Sequence, residues 1–89
     1  MKIKNGFDLR EVCGEHLIVA YGRENIDYNK VISLNESAAF LWRAVIGKDF
    51  TAQTLAELLV SEYDVDQETA ARDAQTLLDE WTSAGLTEN

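Results

Sequence analysis

At Asn35 the apolar residues of this chain change their period, and that switch limits the fold more than any other feature of the sequence. Before it, Phe7–Val12 (FDLREV) alternates crudely, with Phe7 and Leu9 to one side and Asp8 and Arg10 to the other. Residues 16–21 (HLIVAY) are rich in β-formers, and Cys13-Gly14-Glu15 makes a short turn, so the two segments predict a hairpin. A polar break follows, and residues 30–34 (KVISL) predict a third, shorter strand. From Asn35 onward the spacing is helical. Ala38, Leu41, Trp42 and Val45 fall at i, i+3, i+4 and i+7, one stripe of a helix, with Asn35 as its cap and Glu36 in its first turn.

Two more helices follow. Thr51 caps the second, with Leu55, Leu58 and Leu59 facing inward and Tyr63 at its end. Asp66 caps the third, Glu68 sits in its first turn, and Val65 and Ala70 occupy the positions of a hydrophobic staple. Ala70, Ala74, Leu77, Trp81 and Ala84, joined by Leu78, form its apolar stripe. Gly85 ends it, and Leu86 is placed to fold back onto Trp81 in a Schellman cap. The order is strand, strand, strand, helix, helix, helix. Such a chain predicts an α+β fold (βββααα), a three-stranded antiparallel sheet whose apolar face is covered by three amphipathic helices. At least one sheet edge stays open.

With no proline, repeat or low-complexity tract to mark a linker, residues 1–89 read as one domain. At 89 residues only about 60–65% of the unfolded surface can be buried, so one compact core carries the stability. A lone cysteine, Cys13, excludes an intramolecular disulfide. No apolar run is longer than that of residues 17–21, which is too short to span a bilayer, and no apolar stretch follows the N-terminal lysines to make a secretory signal. These features predict a soluble protein of a reducing cytoplasm.

Charge divides the chain. Residues 1–48 hold seven basic and six acidic groups, net +1, whereas residues 49–89 hold Arg72 and ten acidic groups, net −9. A phosphate backbone or an anionic membrane would repel that second half, so neither nucleic acid nor membrane is expected as a partner. The acidic residues either keep a small domain soluble or attract a cationic partner segment.

Catalytic and metal-binding patterns are sparse. Cys13 and His16 have Cys-x-x-His spacing, but a structural zinc site needs four ligands and no second pair exists. No third group orients them as a nucleophile pair, and Ser33, Ser37, Ser61 and Ser83 lie outside any nucleophile-elbow pattern. The five glycines make no phosphate-cradling loop. Asp64 and Asp66 flank a helix start, where capping accounts for them, and Trp42 and Trp81 lie on core stripes. The expectation is a protein that is not an enzyme and has neither cofactor nor metal.

The segment KVISLNESAAFLW, residues 30–42, resembles the most recognisable stretch of the PqqD family. There a short strand ends in Leu-Asn, a small-residue helix start follows, and an apolar-aromatic pair comes after. Leu34-Asn35, Ala38-Ala39 and Leu41-Trp42 match in place. The Thr51-capped helix closing on Glu62-Tyr63-Asp64-Val65 and the final Ala84-Gly85-Leu86 fit as well. One departure lies between the first two helices, where family members often carry Asp-Gly and this chain has Gly47-Lys48-Asp49-Phe50.

The resemblance implies a winged-helix-like domain that recognises the leader of a ribosomally made precursor peptide. It further implies that the domain presents the leader to a modifying enzyme, such as a radical S-adenosylmethionine enzyme, or to a leader peptidase. The leader would add as a strand beside the third strand, a mode that an open edge permits on physical grounds. The edge would be Val31, Ile32 and Ser33, and the groove wall Arg72, Asp73, Thr76, Leu77 and Glu80 of the third helix. The open edge also leaves room for a homodimer. Two alternatives compete: an acidic interaction or inhibitor module, and a winged-helix DNA-binding regulator. The second would bring Glu68, Asp73, Asp79 and Glu80 to phosphates against Arg72 alone.

Overall fold

The computed structural model of the chain describes residues 1–20 and 32–88. In chain order the elements are β1 (Lys2–Ile3), β2 (Phe7–Val12), β3 (Glu15–Ala20), β4 (Ile32–Leu34), α1 (Glu36–Val45), α2 (Ala52–Glu62), α3 (Gln67–Ser83) and β5 (Thr87–Glu88). Strands β2, β3 and β4 form the expected three-stranded antiparallel sheet in the order β2-β3-β4, and the three helices follow.

The hairpin is closed by a two-residue turn, because Val12 pairs with Glu15. Cys13 and Gly14 both take positive φ, 52° and 80°, as the right-handed twist of the flanking strands demands. Val12 is 50% exposed at the tip, so the hairpin projects beyond the core as a wing. Nearer the helices the alternation places Phe7, Leu9, Ile18, Ala20, Ile32 and Leu34 on one face, and Phe7, Ile18 and Leu34 of these are buried. They join a single core cluster with Leu41, Trp42 and Val45 of α1, Leu55 and Leu59 of α2, and Ala70, Ala74, Leu78 and Trp81 of α3. At its centre Trp42 and Trp81 meet edge-to-face, their ring centroids 5.4 Å apart.

Each helix starts at the residue its sequence marks. The Asn35 side chain accepts from the Ala38 N–H at 2.8 Å, and that of Asp66 accepts from the Thr69 N–H at 2.7 Å. Thr51 and Thr54 cap each other reciprocally in a capping box. At the end of α3, Gly85 takes φ 80°, so that its N–H reaches the Thr82 carbonyl at 3.1 Å and the Leu86 N–H reaches that of Trp81 at 2.9 Å. This is the paired bonding of a Schellman cap.

The cap of α3 also sets a pH dependence. Hydrogen bonds from the Thr69 backbone and side chain hold the Asp66 carboxyl below its ordinary value. A group depressed on folding stabilises above its unfolded pKa, and that contribution is lost as pH falls through the folded value. Asp66→Asn should therefore remove part of the loss of stability below about pH 4, read as a flatter dependence of the urea midpoint on pH. An unchanged slope would show that Asp66 is not the group responsible.

The structure adds two short strands to the sequence reading. Lys2 pairs with Glu88 and Ile3 with Thr87, making a second, two-stranded antiparallel ladder of β1 and β5. The Lys4 N–H extends it to the Leu86 carbonyl at 2.9 Å. Of the third predicted strand, Ile32–Leu34 is observed, and residues 30 and 31 lie outside the described residues, as does Tyr21 at the end of the second.

Candidate functional site

Strand β4 is an edge of its sheet: β3 lies on one side, and among the described residues no strand lies on the other. Its register sets Ile32 opposite Ile18, Ser33 opposite Leu17 and Leu34 opposite His16. Leu34 is buried, Ile32 half-buried and Ser33 exposed, so the strand is anchored at its C-terminal end and presents its middle to solvent. Val31, expected to share this edge, lies outside the described residues.

One residue after β4 the chain turns into α1. The Asn35 Oδ1 that caps this helix also accepts from the Ser37 hydroxyl at 3.0 Å, which fixes both polar side chains at the strand end. From here a groove of about 350 Å³ runs between the start of α1 and the flank of α3. Asn35, Ser37, Ala38 and Leu41 line one side, Asp73, Thr76, Leu77 and Glu80 the other, and Leu59 of α2 contributes to the lining between the two.

Four of the five helix residues expected from the sequence, Asp73, Thr76, Leu77 and Glu80, thus share one wall. They stand at i, i+3, i+4 and i+7, a single face of α3, while Ala70, Ala74, Leu78 and Trp81 turn to the core. Arg72 is not among the lining residues. It is exposed and stands one residue, or about 100°, round the helix from Asp73. Asn35 and Leu41, read from the sequence as cap and core, do those jobs and line the groove as well.

Ala38, Leu41, Leu59 and Leu77 supply the apolar part of a mixed lining. Asn35, Ser37 and Thr76 add neutral polar groups, and Asp73 and Glu80 add negative charge. Such a surface, close to a strand edge that no other described strand covers, suits an extended peptide. A larger cavity of about 500 Å³ lies between α2 and α3, lined by Gln53, Ala56, Glu57, Val60, Ser61, Gln67, Glu68 and Ala71. Its lining among the described residues comes from α2 and α3 alone, with no strand residue. Among the described residues, no group of three or more His, Cys, Asp or Glu side chains is placed to hold a metal ion. No helix among them is long and apolar enough to cross a membrane.

Residues 15–86 match the family described as Coenzyme PQQ synthesis protein D (PqqD). The chain belongs to the PqqD family. No curated protein matches it in sequence. Among solved structures it is similar to TbiB1 in complex with the TbiA(beta) leader peptide, with a TM-score of 0.78 at 18% identity, covering 100% of this chain and 96% of that one. It is also similar to a lasso peptide synthetase B1 complexed with the leader peptide, with a TM-score of 0.73 at 20% identity, covering 99% and 96%. At these identities the likeness is one of fold. Where this PqqD-family chain departs from the Asp-Gly pattern between its first two helices, the substituted link has a packing role. Phe50 is buried against Trp81, ring centroids 6.3 Å apart, and its N–H donates to the Met1 carbonyl at 2.7 Å.

Proposed function

We propose that this PqqD-family chain is a non-catalytic accessory protein that recognises the leader of a ribosomally synthesised precursor peptide and presents it to a modifying enzyme. The observation that carries the reading is the edge of β4, which no other strand among the described residues covers, leading through Asn35 into the groove between α1 and α3. A leader segment added to β4 pairs with the N–H and C=O groups that the strand turns away from β3, and its alternate side chains enter the groove over Leu77. The two solved structures of the same fold are themselves complexes with leader peptides, which supports the assignment. The enzyme served is of the class that acts on such precursors, a radical S-adenosylmethionine enzyme or a leader peptidase, and the setting is the cytoplasm, where precursor peptides are made. Residues 1–89 act as one domain, and a homodimer formed through the same edge would compete with the leader.

The test is a fluorescence anisotropy titration with the synthetic leader of the small precursor encoded nearest this protein's own gene. Saturable binding that persists in 0.5 M salt and is lost when the leader's order is scrambled supports strand addition. Equal binding of the scrambled peptide, abolished by salt, would instead favour an acidic interaction module.

A further inference from the structure

We propose that the leader accepted by this groove carries an apolar anchor residue with a lysine or arginine two positions away on at least one side. The inference rests on the leader-binding reading and names the chemistry of the peptide. Leu77 is half-buried in the groove wall, a seat for an apolar side chain, and Asp73 and Glu80 stand on the same face of α3 to either side of it. Along the helix axis the backbone positions of Asp73 and Glu80 are displaced from that of Leu77 by about 6 Å and about 4.5 Å. Same-face residues of an extended peptide recur about every 7 Å. The long stem of a lysine or arginine spans the remaining ångströms while its charged head stays at the rim.

The charge of the groove is one-sided. Among the described residues, no Lys, Arg or His lines it. Among the described residues neither Asp73 nor Glu80 takes part in an ion pair or a side-chain hydrogen bond, and the ion pair present, Arg10 with Asp8 at 3.2 Å, lies on β2. Both carboxylates are exposed, so each is free to meet a cation brought by the peptide, and an acidic leader residue at the same place would meet like charge.

The experiment selects binders from a displayed library of random twelve-residue peptides. Affinities are then measured for one enriched peptide and for versions with its basic residues changed to glutamine or glutamate. Each is tested against the natural chain and the double variant Asp73→Lys, Glu80→Lys, whose exposed positions leave the core untouched. Enrichment of Lys or Arg two residues from an apolar position is expected. The glutamate version should bind roughly tenfold more weakly than the parent, and the double variant should reverse the order. Binders without charge preference, or a preference unmoved by the double variant, would overturn the inference while leaving leader binding intact. A library that yields no peptide binder at all would remove the leader reading and this inference with it.

Discussion

Replacing Trp81 with alanine is expected to cost about 3–5 kcal/mol, a large part of the roughly 5–15 kcal/mol that holds a small domain folded. Trp81 is 1% exposed and packs edge-to-face on both Trp42 and Phe50. Its carbonyl also accepts the bond that closes the C-terminal cap of α3. The indole Nε1 is buried without a hydrogen-bond partner among the described residues, so the ring acts through packing rather than through its donor. Trp81→Phe keeps an aromatic ring and removes an unsatisfied polar atom, and should cost less than half as much. Urea denaturation followed by circular dichroism measures both. A Trp81→Ala protein with an unshifted midpoint would contradict the place given to this residue in the core. Because the same helix turns Asp73, Thr76, Leu77 and Glu80 to the groove, losing its core face should remove peptide binding too.

The second large effect concerns the backbone of β4. Alternate residues of an antiparallel strand turn their N–H groups to opposite sides, so Ile32 and Ser33 serve opposite neighbours. Proline at either position deletes one donor and obstructs the approach of a strand on that side. One of Ile32→Pro and Ser33→Pro should break the pairing with β3 and lower stability. The other should leave the sheet intact and weaken leader binding by roughly tenfold or more, the worth of a lost backbone bond and its stranded partner. Denaturation curves identify which is which, and anisotropy with the leader peptide reads the binding. If both variants fold and bind as the natural chain does, strand addition at β4 is wrong.

The elements that repeat over several residues were legible in the sequence. Alternation marks β2 and β3, and Asn35, Thr51 and Asp66 announce the three helix starts through side chains that do cap them. Gly85 and Leu86 announce the end of α3 in the same local way. The β1–β5 ladder was not legible. Two residues carry no period, and its partners lie at opposite ends of the chain, joined by a contact that only the finished fold creates. Of the helix residues that the family resemblance implied, Asp73, Thr76, Leu77 and Glu80 lie together along the α3 side of the groove, and Leu77, read from the sequence into the apolar stripe, is half-buried there while Leu78 fills the core. That set included Arg72, which a strict helical projection separates from that face by about 100°. It missed Asn35, Ser37, Ala38, Leu41 and Leu59 as lining, because their place depends on how α1 and α2 pack beside α3.

The central claim is that a leader peptide adds to β4 and lies in the groove against α3. An amide NMR titration of the ¹⁵N-labelled chain with the synthetic leader of its neighbouring precursor tests it most directly. Saturable shifts concentrated at residues 32–34 and along residues 73–80 are the predicted result. Shifts centred instead on the cavity between α2 and α3, at residues 53–61 and 67–71, would contradict the account, as would no shifts at high peptide concentration.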